Sequence, residues 1–187
     1  MDALHLLQNR VSITKLVAPA PNAVQLLEVF KAANRAPDHG KLKPWRFLVI
    51  EGSGLDSLSN VLVDALVAAN PDVSATVLEK TRNMPFRAPM IIVAIARCSE
   101  HPKVPKQEQM LASAAATQNL LNALFVMGFG AVWRTGELAY NERVKSALGL
   151  NREEEIVGFV YVGSPQGEIP APSHEDVKAI FTNWLPK

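Results

Sequence analysis

The chain has 187 residues, 48% of them hydrophobic and 20% charged, with a formal net charge of +1. That length suits one well-buried domain spanning 1–187, and the mixture excludes a disordered or fibrous protein. Near-neutrality argues against a nucleic-acid protein, which carries a basic face, and the lone Cys98 excludes an intrachain disulfide and agrees with a reducing cytoplasm.

In chain order, a first helix is expected over residues 2–9, with Ala3, Leu4 and Leu7 on its inner face. Pro19 and Pro21 punctuate the next loop. Asn22 is a plausible N-cap for a helix over 23–34, in which Val24, Leu27, Val29, Phe30 and Ala33 recur at helical spacing. Pro37 and Gly40 break regular structure in the loop that follows. A strand over 45–50 leads through Gly52-Ser53-Gly54 into an amphipathic helix over 55–69. After a turn at Asn70-Pro71-Asp72, a charged helix covers 74–83. Pro85 and Pro89 bracket the approach to a buried strand over 90–96.

A polar loop from Cys98 to Pro105 precedes the longest helix, over 106–127. Its composition is apolar on nearly all sides, which predicts a central, buried helix. Its run Ala114-Ala115-Ala116 would let another helix come close. Gly128 and Gly130 end it; 131–134 reads as extended, 141–148 as a helix, and 156–162 as a core strand. The proline-rich tail beyond Gly163 is expected to wrap over a surface. Helices and strands follow a mixed order, which predicts an α+β fold.

Asp2 stands where a signal peptide needs basic residues. The apolar run 88–96 is too short to span a bilayer, and Ser113, Thr117, Gln118, Asn119 and Asn122 interrupt the run 110–127. A soluble protein with no membrane partner is expected.

Several motifs fail on inspection. Gly52-Ser53-Gly54 lacks the third glycine of a dinucleotide fingerprint, Ser57 standing there, and Gly128-Phe129-Gly130 continues to Trp133. There is no phosphate-loop lysine motif and no nucleophile elbow. Cys98 and His101 have a metal-ligand spacing, but one pair cannot make a zinc site, so no metal is expected.

Three segments carry chemistry. Arg10-Val11-Ser12 pairs a guanidinium with a hydroxyl, a combination suited to a phosphate; alone it reads equally as a solvated arginine and a turn serine. The loop from Arg35 through His39, Lys41 and Lys43 to Trp45 is basic enough to embrace an anion, or is simply solvated. Gly128-Phe129-Gly130 leads to Trp133-Arg134-Thr135-Gly136, where glycine permits close approach to a planar ligand and the tryptophan also reads as core.

Taken in order and spacing, these segments resemble the nitroreductase family. The corresponding stretches are Arg10-Val11-Ser12, Lys43-Pro44-Trp45-Arg46-Phe47 and Gly128-Phe129-Gly130, joined by Phe86-Arg87-Ala88-Pro89, Gly128 to Arg134 and Ile156 to Gly163. The likeness is to short bacterial NAD(P)H nitroreductases and covers nearly the whole chain except the tail. It implies a mostly antiparallel central sheet flanked by helices, with a long buried central helix. It implies bound FMN, NADH or NADPH as reductant, and a homodimer with flavin at the subunit interface.

By the same resemblance, Arg10 and Ser12 hold the FMN phosphate, with Val11 contributing only backbone. Arg35 and His39 reach the flavin from the partner subunit. Trp133, Arg134 and Thr135 line it, and backbone N–H groups near Thr135 and Gly136 face flavin N5. Ala123, Leu124, Phe125, Val126, Met127 and Gly128 form the segment assigned to NAD(P), which reads equally as helix core. The flavin carries the chemistry, so no side chain is named as acid, base or nucleophile. The expected reaction passes hydride from NAD(P)H through the flavin to a nitroaromatic, quinone or similar acceptor by a ping-pong mechanism. The alternatives are an enone reductase, a dehalogenase, a flavin-fragmenting enzyme, or a non-enzymatic FMN-binding protein. Val11, Lys41 and Lys43 depart from the family's arginine, asparagine and glutamine.

Overall fold

The computed structural model describes residues 2–173 and 176–185. In chain order the regular elements are α1 (Ala3–Asn9), β1 (Leu16–Val17), α2 (Ala23–Ala33), β2 (Trp45–Glu51), α3 (Ser53–Ala69), α4 (Ala75–Arg82), β3 (Met90–Arg97), α5 (Lys106–Val126), β4 (Gly130–Arg134), α6 (Glu142–Ala147) and β5 (Glu154–Pro165). The sheet runs β1-β5-β3-β2, with β4 also paired to β5, and every pairing is antiparallel. This is the expected α+β architecture, an antiparallel sheet flanked by helices.

β3 is the centre of the molecule, buried along its length except at Arg97. A strand covered on both faces must be apolar at every position, and Met-Ile-Ile-Val-Ala-Ile-Ala meets that demand. Ile91, Val93 and Ile95 pack with Leu55, Leu58 and Leu62 of α3 and Val144 of α6. Met90 and Ile92 pack on the other face with Val29 and Ala33 of α2 and Leu120 and Leu124 of α5. The sheet therefore separates an α3–α6 layer from an α2–α5 layer.

Local chemistry sets the helix starts. Asn22 caps α2 in a complete capping box with Gln25, and Asp2, Ser74 and Asn141 cap α1, α4 and α6 through their side chains.

Three expectations change. α5 buries one face only: Ala112, Ala116, Leu120 and Leu124 turn inward, while Leu111 and Val126 are 63% and 54% exposed. An apolar composition shows that a face can be buried, but it does not say by which chain. α1 has no buried residue, and Leu4 and Leu7 point outward; Leu6 is the side chain turned toward α5. The tail leaves the sheet after an N–H bond from Gln166 to the Lys15 carbonyl. Its described residues then lie open, with Phe181, Trp184 and Leu185 exposed rather than laid on a surface. β1 and the ends of β5 escaped the reading because pairing with a distant strand creates them. No helix among the described residues is long and apolar enough to cross a membrane.

Candidate functional site

Side chains alternate along β4, and this sorts the third predicted segment. Ala131 and Trp133 face the α2–α5 layer, while Val132 faces the α3 layer. The Trp133 ring crosses Gly158 so closely that a Cβ there would overlap the indole, and its N–H donates to the Val157 carbonyl at 3.2 Å. Trp133 is thus a packing side chain beneath the strand. Arg134 emerges on the other face, its guanidinium carbon 5.8 Å from the centre of the Tyr161 ring. Its Nε is buried and has no hydrogen-bond partner among the described residues. Burial pushes the Tyr161 phenol up, and the charges of Arg87 and Arg134 pull it back down.

Beyond Arg134 the chain opens into exposed Thr135 and Gly136. Gly136 has φ +131°, a conformation that favours glycine. A cleft of about 600 Å³ lies between this segment and α3–α4. Leu58, Leu62, Met84 and Phe159 supply apolar wall, Lys80, Arg87 and Arg134 supply positive charge, and Glu137 supplies the one negative charge among the lining residues. Among the described residues none of these three cations has an ion-pair partner. An apolar slot with unpaired cations and an orphaned guanidinium nitrogen fits a flat, anionic ligand, and FMN has that chemistry.

The other predicted residues do not line this cleft. The Arg10 N–H closes α1 on the Leu6 carbonyl at 3.0 Å, and the Ile13 N–H bonds the Ala131 carbonyl at 3.0 Å. These bonds bring 10–13 alongside β4. Arg10 is half-buried, Ser12 is exposed, and neither side chain has a hydrogen-bond partner among the described residues. Val11 packs into the cluster that holds Tyr161 and Ala88, which explains an apolar residue at that position.

Arg35 and His39 are exposed and outside the cleft lining, and His39 meets Glu108 in the first turn of α5. The loop that bears them turns through Gly40, Lys41 and Lys43, at φ +76°, +55° and +46°. The Asp38 carboxylate accepts the Lys43 N–H at 2.7 Å and holds the turn. Lys41 and Lys43 direct exposed side chains to solvent. Residues 123–128 end α5: Leu124 is fully buried, whereas Ala123, Val126 and Met127 line a separate shallow hollow with Leu6, Glu28 and Ala32. Within one chain the structure gathers Arg134, Thr135 and Gly136, and it leaves Arg35, His39 and 123–128 apart from them.

Sequence reasoning passed over Lys80, Arg87 and Tyr161. The signal for Arg87 was present in the Phe86-Arg87-Ala88-Pro89 motif, and that for Tyr161 in the alternation of the last strand. Cys98 is buried, which pushes its thiol up, and His101 accepts the Lys103 N–H at 3.2 Å. The two serve packing and loop closure.

The nitroreductase family profile matches residues 7–164. Escherichia coli YdjA, provisionally named an NAD(P)H nitroreductase, is 45% identical over 166 residues, covering 89% of this chain and 90% of that protein. A nitroreductase-like family protein from Bacillus cereus superposes with a TM-score of 0.81 at 22% identity, covering 98% of this chain and 96% of that one. A variant of the FMN- and NADPH-dependent nitroreductase NfnB from Sphingopyxis superposes with a TM-score of 0.77 at 16% identity, covering 98% and 99%. The fold and the match over most of the chain define an oxidoreductase class. The chain belongs to the nitroreductase family.

Proposed function

We propose that this protein is a cytoplasmic FMN-dependent oxidoreductase that uses NADH or NADPH to reduce a nitroaromatic, quinone or similar acceptor. We propose that it works as a homodimer with FMN between subunits. The observation that carries the reading is the cleft beside Arg134–Gly136, apolar in most of its wall, with three cations against the one carboxylate of Glu137 and, among the described residues, a buried Arg134 Nε that has no partner. The dependence of NfnB on FMN and NADPH and the provisional name of YdjA support it. Bound FMN supplies hydride transfer in both directions; the residues bind, orient and shield.

In this reading Arg10 and Ser12 hold the phosphate, and Val11 offers backbone only. Trp133 braces β4 so that Arg134 and Thr135 line the ring, and N–H groups at Thr135 and Gly136 meet its reacting edge. Residues 123–128 receive the nicotinamide nucleotide. Arg35 and His39 serve the partner's flavin. The dimer is supported by what one chain leaves uncovered: Leu111 and Val126 of α5, Leu4 and Leu7 of α1, and Val24 and Leu27 of α2 are all exposed. A two-fold interface would cover this surface and bring each loop to the other chain's cleft, building both sites at once.

The test is the visible spectrum of the purified protein before and after anaerobic NAD(P)H. The expected result is a yellow protein that bleaches and that releases FMN on denaturation. FAD as the bound flavin, or no bleaching by either nucleotide, refutes the proposal. Initial rates at several acceptor concentrations should give parallel double-reciprocal lines, because donor and acceptor use one cleft in turn. Intersecting lines would show that both bind together.

A further inference from the structure

The loop that bears His39 is fastened to α5 at several points. Ala36 and Trp45 form a small core with Ala112 and Ala116 of α5. The Ser113 hydroxyl donates to the Pro44 carbonyl at 2.7 Å. Gly40 lies so near Val104, just before α5, that a Cβ would meet its side chain at 3.2 Å. The remaining tie is to the imidazole itself: His39 Nδ1 lies 2.7 Å from Glu108 Oε2, across 69 residues of sequence. The first three contacts hold the backbone of the loop. Among the described residues only the last engages the ring.

An ionised carboxylate has no proton to give, so in the neutral ring Nδ1 carries the hydrogen and donates it to Glu108. Nε2 is then the bare nitrogen, a hydrogen-bond acceptor. Glu108 lies in the first turn of α5, where the unpaired N–H groups and the helix dipole favour a negative charge. Both side chains are substantially exposed within one chain, His39 at 60% and Glu108 at 47%. An exposed pair of this kind contributes little to stability. Its consequence is orientation of the ring.

We propose that Glu108 is a positioning residue for the composite flavin site: it fixes the tautomer and ring angle of His39, so that Nε2 is offered as an acceptor to a donor on the neighbouring subunit's flavin. This rests on the reading of His39 as a residue that serves the partner's FMN. It adds a residue outside the three predicted segments, and it makes the N-terminus of α5 part of the cofactor site.

Two measurements on the full-length holoprotein test it. The first is ¹⁵N–¹H correlation of the His39 ring in its neutral form. Wild type should show protonated Nδ1 and bare Nε2, Glu108→Ala should lose that preference, and Glu108→Gln, which keeps an acceptor oxygen, should retain most of it. The second is release of FMN on dilution, followed by recovery of free-flavin fluorescence. Glu108→Ala and His39→Ala should each weaken FMN by roughly three- to tenfold, the loss of one hydrogen bond. The double variant should be no worse than either single, since both changes remove the same contact. Glu108→Gln should recover most of the affinity.

A protonated Nε2 in wild type overturns the proposal. So does unchanged FMN release in Glu108→Ala when His39→Ala loses affinity, or additive losses in the double variant. If His39→Ala itself leaves FMN release unchanged, the assignment of His39 to the flavin fails, and the role of Glu108 fails with it. A protein that holds no FMN at all refutes the proposed function instead.

Discussion

Removal of the Glu154 carboxylate should cost this fold a measurable part of its stability. Glu154 opens β5, its side chain only 6% exposed, and it accepts from Arg46 Nε at 2.6 Å, Arg46 Nη2 at 2.9 Å and the Asn151 N–H at 3.1 Å. Arg46 lies on β2 and both strands flank β3, so the pair ties the sheet together across its central strand. Glu154→Ala removes all three bonds and leaves Arg46 only the Gly149 carbonyl at 3.4 Å. Breaking a buried pair costs about 3–5 kcal/mol. The Arg46 side chain is 25% exposed, so water partly satisfies it, and the expected loss is about 2–3 kcal/mol. That corresponds to a fall in Tm of roughly 4–12 °C.

The loss should also depend on pH. Hydrogen bonds from the Arg46 guanidinium, reinforced by the Asn151 N–H and by charge, hold the Glu154 carboxyl below its ordinary range despite burial. A depressed native pKa gives stability that is complete above the unfolded value, about 4.3, and is lost as pH falls through the native value. Urea melts of wild type and Glu154→Ala should therefore differ fully at neutral pH and converge in acid. A difference under about 0.5 kcal/mol at neutral pH, the scale of an ordinary surface substitution, refutes the reasoning. A gap that does not narrow in acid refutes it too.

Arg10→Ala should weaken FMN by about 1.5–3 kcal/mol, the scale of a charge-assisted hydrogen bond. An unchanged dissociation constant would remove Arg10 from the site. The composite site is tested by co-expressing Arg10→Ala with the double variant Arg35→Ala, His39→Ala. A mixed dimer then has one site with both lesions and one with neither, so activity absent from each parent should return. Failure to recover it, with mixed dimers confirmed by mass, would place each site within one chain.

The sequence by itself determined what depends on short range. Asn22 specified the start of α2, the unbroken apolar run specified β3, and the 3.6-residue spacing specified the helices, because caps and faces are set within a few residues. The family motifs likewise marked Arg134–Gly136 before any contact was known. Tertiary structure alone decided which face each residue took. Alternation about the Gly130–Gly163 register sent Trp133 into the α2–α5 layer and Arg134 toward Tyr161. Arg87 became a cleft residue because β3 enters the sheet beside β5, and Glu108 met His39 because α5 packs against a loop 69 residues distant. The apolar outer faces of α1 and α5 were legible as hydrophobic, but only the packed chain showed that they remain open. Composition gives the free energy available from burial, and the location of the covering surface is a property of three-dimensional packing.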